Sequence, residues 1–188
     1  MSTTAYGSGT HTPSSATIAS STNATPIVIT TPSAHGFSTS DTVYIVGHTT
    51  NTAANGTWVI TVLSSTTFSL TGSVGNGVGG ATGTVLKVVE SNVQSISAAG
   101  VYDFAADLSN MLAGDVVELR VYRELKASGT LRVVRFQAFY GAQMTDDPAP
   151  PCKPFGNALT DAISAKCTIK QTFGVARAFD WEVKRYAP

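Results

Sequence analysis

Asp103 with Asp107, and Asp146 with Asp147, are two closely spaced pairs of aspartates in this sequence. Two carboxylates flanking one glycosidic bond, one with a raised pKa, are what polysaccharide hydrolysis needs. Neither pair sits among the aromatic and polar residues that line a sugar cleft, so both read as solvated turns. His11, His35 and His48 are the only histidines, and no serine stands in a Gly-x-Ser-x-Gly elbow. His35 precedes Gly36, which predicts a turn in which the ring bonds the backbone and the glycine takes positive φ. His35 and His48, with Asp41 as the nearest carboxylate, make a poor metal site. Cys167 falls on an apolar beat of ISAKCTIK and is expected in the core, while its pairing with Cys152 stays open. The segment GSVGNGVGG lacks the Lys-Ser/Thr of a phosphate-binding loop and no helix follows it. The expectation is a non-enzymatic chain with no cofactor and no metal.

Binding offers more candidates. Arg120, Arg123, Lys126, Arg132 and Arg135 lie in two strands that pair as a hairpin around KASG and would form one basic stripe. Glu118 and Glu124 lie among them, so ion pairing within the sheet competes with docking onto an acidic neighbour. The segment between Gly141 and Phe155, with Asp146 and Asp147 among its prolines, is a long surface loop, either a plain crossover or a contact loop. Tyr44, Tyr122 and Tyr186 are the platforms left for a glycan, since Trp58 and Trp181 both fall on inward beats.

What must position these residues is a chain of two textures. Every charged residue but Asp41 lies at or beyond Lys87, and 12 basic residues balance 12 acidic ones. With no net charge there is no field to steer the chain onto phosphates, and no long apolar run is present, so neither nucleic acid nor a membrane is an expected partner. The N-terminus lacks the basic and apolar regions of a secretion signal, which predicts a soluble protein made in the cytoplasm.

Residues 1–25 are Ser, Thr, Ala, Gly and Asn with little to bury, and are expected as an extended polar arm held by another surface. Residues 26–88 carry short β-branched runs with inward Val43 and Ile45, then Trp58, Ile60 and Val62, as in a small β-barrel or sandwich. Asn55-Gly56 predicts a type I′ turn, and the glycine-rich 72–83 a loop. Residues 89–188 predict a jelly-roll-like antiparallel β-sandwich. Val117, Leu119 and Val121 face in, as do Ile163, Ala165, Cys167 and Ile169, then Phe179, Trp181 and Val183. The beat slips at Val133-Val134, which predicts a β-bulge. FAADLSNML, residues 104–112, is the one helix-compatible stretch. The fold class is all-β.

Two resemblances bear on function. The pattern AHG, DTVYI, NGTW and TTF-L within residues 29–70 resembles a short β module that recurs in phage structural and tail proteins. That module is often named for the first catalytic cysteine half-domain of ubiquitin-activating enzymes. It implies no ubiquitin chemistry, because neither cysteine lies in it. From about Val93 to Arg185, the opening YDF with DLSNMLAGDVVELRV and the closing KQTFG with ARAFDWEVKR resemble a phage virion β-sandwich. Together they imply a tailed-phage virion structural protein whose partners are the major capsid protein or other virion proteins. The first expectation is a capsid decoration or cement protein, self-associating, with a trimer as the guess. A tail or neck adaptor or fibre-base protein is the alternative, and a glycan-binding module on the virion surface a third.

Overall fold

The computed structural model describes residues 3–98, 100–125, 129–143, 152–160 and 164–186, the side chains of Thr3 and of 152–160 excepted. The described chain is all-β, with antiparallel sheets and no α-helix. Its strands are β1 (Thr3–His11), β2 (Ser15–Thr17), β3 (Ser20–Ser21), β4 (Val28–Thr30), β5 (Thr42–Val46), β6 (Gly56–Val62), β7 (Thr67–Leu70) and β8 (Thr84–Lys87). They continue as β9 (Ser91–Ile96), β10 (Gly100–Asp107), β11 (Val116–Arg123), β12 (Arg132–Tyr140), β13 (Cys152–Thr160), β14 (Ala165–Phe173) and β15 (Phe179–Tyr186).

The chain divides into two compact units whose boundaries differ from those the composition drew. One comprises Met1–Thr12, Glu90–Gln171 and Arg177–Pro188, the other Pro13–Val89 and Thr172–Ala176. The first unit is a sandwich of two four-stranded sheets, ordered β1-β15-β10-β13 and β12-β11-β14-β9. Counted along this unit alone, the strands run 1-8-3-6 and 5-4-7-2. That is the jelly-roll order, in which the first strand lies beside the last. Pro13–Val89, the bulk of the second unit, is therefore an insertion in the connection between the first two jelly-roll strands.

Residues 1–25 are not one extended arm. Thr3–His11 forms β1, registered antiparallel to β15 from Thr3↔Tyr186 to His11↔Phe179. The strand escaped notice because it is an edge strand with mostly exposed side chains, so the ladder orders it with little apolar burial. Tyr6 is its main anchor and meets Tyr102 edge-on, with ring centroids 4.9 Å apart. Between the two sheets lie Tyr102, Phe104, Ala106, Val117, Leu119, Val121, Ala165, Cys167, Ile169, Phe179 and Val183, all buried. Trp181 is only half-buried at the margin of this core, and Ile163 falls outside the described residues. FAADLSNML is not helical. Phe104–Asp107 completes β10, where the core demands period two, and turns follow. The expected bulge is present: Val121 pairs with Arg135 and Tyr122 with Val133, leaving Val134 unpaired.

The second unit is one seven-stranded sheet, ordered β2-β8-β5-β6-β7-β4-β3. Its two edge strands, β2 and β3, are separated by only two residues, so the sheet must curl until its edges nearly meet. Ile18 N–H donates to the Gly83 carbonyl (3.1 Å) and Ala19 N–H to the Thr30 carbonyl (2.8 Å), one residue reaching to each side. This barrel encloses Ile18, Ile27, Ile29, Phe37, Val43, Ile45, Ile60, Phe68, Leu70 and Val85. Each such fully buried side chain contributes about 1.5–3 kcal/mol. Asn55-Gly56 is not a type I′ turn, because Asn55 is extended (φ −67, ψ 144) and only Gly56 has positive φ (120). The Asn55 amide is instead engaged with His48, accepting from its N–H (2.9 Å) and donating to its carbonyl (2.8 Å).

Deletion of residues 1–11 is expected to lower the thermal midpoint of the jelly roll and expose it to proteolysis, since β15 becomes an edge. Limited digestion and a melting curve check this, and an unchanged melt would mean that β1 is dispensable.

Candidate interaction surface

Of the charged residues singled out in the sequence, Arg120 and Glu118 lie together on the outer face of the sheet β12-β11-β14-β9. Alternation puts Val117, Leu119 and Val121 inward, so Glu118, Arg120 and Tyr122 point out. Arg120 is fully engaged. Its guanidinium bonds Glu90 (2.8 Å) and Glu118 (2.7 Å), and lies 5.2 Å from the ring centre of Phe136, its register partner. Thr168 donates to Glu90 at 2.5 Å. Burial pushes the Glu90 carboxyl up, but bonds from Thr168 and Tyr122 and the charges of Arg120 and Lys166 outweigh it and hold its pKa below the usual value. The Lys166 ammonium sits over the Tyr122 ring, 4.5 Å from its centre. The structure thus joins Arg120 and Tyr122 in one network, with Glu90, Lys166 and Thr168 as members that their distance in sequence concealed.

The other candidates lie apart. Arg123 and Arg132 are register partners at the loop end of the β11–β12 hairpin, and Arg135 is exposed on β12. Lys126, Asp146 and Asp147 lie outside the described residues. Tyr44 belongs to the barrel unit and is half-buried, its ring edge-on to Phe173 at 5.0 Å. Tyr186 ends β15 in the opposite sheet from Tyr122.

Sequence reasoning missed two buried polar clusters. In the jelly roll, the Asp115 carboxylate is 2% exposed, accepts the Leu112 N–H at 2.8 Å and pairs with the Arg177 guanidinium. The Asp115 carbonyl accepts the Gly141 N–H at 2.8 Å, so one residue ties the turn before β11, the end of β12 and the approach to β15. The signal was local: Gly114 at φ 89 is followed by an aspartate poised to cap its own turn.

In the barrel, His48 is 2% exposed, with Nε2 2.8 Å from the Ser21 hydroxyl. Asn51 donates to the Thr22 carbonyl (2.9 Å) and accepts the Asn76 N–H (3.0 Å). Close packing here explains the glycine-rich loop: a Cβ on Gly79 would strike the Ser21 carbonyl and one on Gly77 the Thr50 carbonyl. The Ser21–His48 pair resembles a nucleophile and its base, but no carboxylate orients the ring and His48 Nδ1 has no partner. Asp41, the one acid of Pro13–Val89, pairs with Lys87 at 2.7 Å. His35 makes the expected turn, its Nδ1 accepting the Phe37 N–H (2.9 Å) while Nε2 reaches the Ser64 carbonyl (3.2 Å) and Gly36 takes φ 67. Cys167 is a free buried thiol whose pKa burial pushes up to about 12, an inert state. Among the described residues, no three metal-capable side chains converge.

Compared with known proteins, the chain matches no family model, no curated protein and no solved structure.

Asp115→Ala should cost about 3–5 kcal/mol in chemical denaturation by stranding Arg177, whereas loss of an exposed pair costs under about 1 kcal/mol. Burial lowers the pKa of both His11 and His48 below 6.5. In the unfolded chain each takes up a proton near the ordinary value while the folded form stays neutral. Stability is therefore full above that value and falls as the pH drops below it, by up to about 1.4 kcal/mol per pH unit for each histidine. Denaturation midpoints between neutral and mildly acidic pH check this, and His48→Gln should flatten the slope.

Proposed function

We propose that this chain is a phage virion structural protein, most simply a capsid decoration protein seated on the major capsid shell. The observation that carries the reading is the jelly-roll strand order with a barrel inserted after its first strand. Jelly rolls serve repeatedly as viral capsid and lectin domains, and fold alone does not assign a role among these. The phage-like motifs in both units add support, as does a site made of exposed interaction surface in place of an oriented nucleophile. The barrel is a sensible module of no net charge for such a particle. Its two charges, Asp41 and Lys87, neutralise each other, so it stays soluble through hydroxyls and backbone without a field. Residues 3–11 are committed to β1, which leaves the charged and apolar faces of the jelly roll to grip a shell. Repetition over a symmetric shell multiplies weak contacts through effective concentration. The lectin alternative loses ground because Tyr122 is capped by Lys166 and lies in the opposite sheet from Tyr186.

Quantitative mass spectrometry of purified particles tests the proposal. A ratio to the major capsid protein of roughly one to one, or one to a few, is expected of a shell component bound by repetition. About a dozen copies or fewer per particle would move the protein to the tail or neck. Absence from particles would sink the reading.

A further inference from the structure

The β11–β12 hairpin presents two features of the jelly-roll unit that bear on association. Arg123 and Arg132 stand directly opposite each other, and among the described residues neither makes an ion pair. Opposed side chains in an antiparallel pair lie about 4.5–5.5 Å apart at Cβ, where like charges destabilise the sheet unless an anion is brought to them. On the opposite face from these arginines β12 exposes Val133, Phe136 (53%) and Tyr140 (72%), with Val134 exposed at the bulge between them, an apolar strip on an edge strand. Such a strip rimmed by charge marks a contact surface.

The complementary surface is on the same unit. Along β15, Phe179 and Val183 are buried and Asp180 and Glu182 alternate with them. Along β10, Asp103 stands between buried Tyr102 and Phe104. Asp103, Asp180 and Glu182 therefore share the outer face of the sheet β1-β15-β10-β13. Lys184, bonded to Glu182 at 2.7 Å, is the cation that faces out from β15 among them. Among the described side chains, this face carries three acids against Lys184, which also stands opposite Asp103 in register, and the β12 edge carries Arg132 and Arg135.

We propose that the β12 edge of one copy docks on the acidic β10–β15 face of a second copy, so that subunits associate head to tail. Two-fold pairing of β12 with its own copy is the less favourable geometry. It concentrates Arg132 and Arg135 with no acid on the strand, and the bulge at Val134 interrupts the ladder that such pairing would extend. Head-to-tail contacts close into a ring when the rotation permits and otherwise run on as a filament. The inference goes beyond the virion reading and holds whether or not the assembly sits on a particle.

Sedimentation velocity of the full chain in low and in molar salt tests it. Wild type is expected to associate in low salt and dissociate when the charges are screened. Arg123→Glu with Arg132→Glu should weaken association by about tenfold or more, and so should Asp180→Lys with Glu182→Lys. Mixing the two variants, or combining all four reversals in one chain, should restore it, because each surface then meets its opposite charge. Phe136→Ser should weaken association without altering charge. Circular dichroism and melting curves confirm that each variant folds. Three outcomes overturn the inference: a monomer at both salt levels, association that survives either reversal, or loss with the arginine reversal alone. Association in solution with no copies on particles would sink the virion reading and leave this one standing, and a monomer abundant on particles would do the reverse.

Discussion

The pairing of the first strand with the last is the constraint on which the rest of this structure depends. β1 lies beside β15 over its whole length, from Thr3↔Tyr186 to His11↔Phe179, so the jelly-roll sheet is complete only when both strands have arrived. Everything between them must leave and return without pulling that ladder apart. The inserted barrel meets this condition by its own topology. Its entry strand β2 pairs with its exit strand β8, Ser15 opposite Leu86, which holds the two ends of the insertion together. A unit with adjacent ends can be placed in a loop at small entropic cost. The same chain then closes the barrel, since residues 15–21 supply both edges of the curled sheet.

What the sequence disclosed and what it hid follow from this arrangement. Strands buried on one face announce themselves through period two, as Val43 and Ile45, Val117 to Val121, and Phe179 with Val183 do. The bulge at Val134 was legible for the same reason, because an extra residue shifts the beat. β1 was not legible: an edge strand of Thr, Ser and Gly pairs through its backbone, and backbone pairing leaves no mark on residue types. FAADLSNML misled because Phe104 and Ala106 satisfy helical and extended spacing about equally, and only the partner strands decide. At the Asn55-Gly56 step, a side-chain amide paired with the His48 backbone took the place of the turn that the dipeptide favours in hairpins.

The interaction surface was legible in its members and not in its bonds. Arg120 and Tyr122 were visible as outward positions of β11, but Glu90 and Thr168 reach them from β9's approach and from β14. Such long-range pairs cannot be read from spacing. Asp115 with Arg177 and Ser21 with His48 were missed for the same reason. Both clusters do what buried polar groups usually do: they fix the path of the connections that the apolar core leaves undetermined.

The two units meet the problem of polar groups in opposite ways, and the difference bears on assembly. The barrel keeps one ion pair and otherwise fills its polar interior with hydroxyl, amide and imidazole groups bonded to backbone, so its surface has no charge pattern for a partner to read. The jelly roll carries nearly all the charge, and it does not neutralise that charge evenly. Arg120 has two carboxylates and an aromatic face, while Arg123 and Arg132 face each other across the hairpin. A sheet able to satisfy one arginine so completely could have placed an acid beside the others. An edge that carries a bulge and two arginines is protected against indiscriminate strand addition, which needs a flat, uncharged ladder. Protection of that kind still permits contact through side chains, provided that the partner brings anions. Selectivity then arises from the charge that the isolated unit leaves uncompensated, because only a surface of the right sign and spacing relieves it.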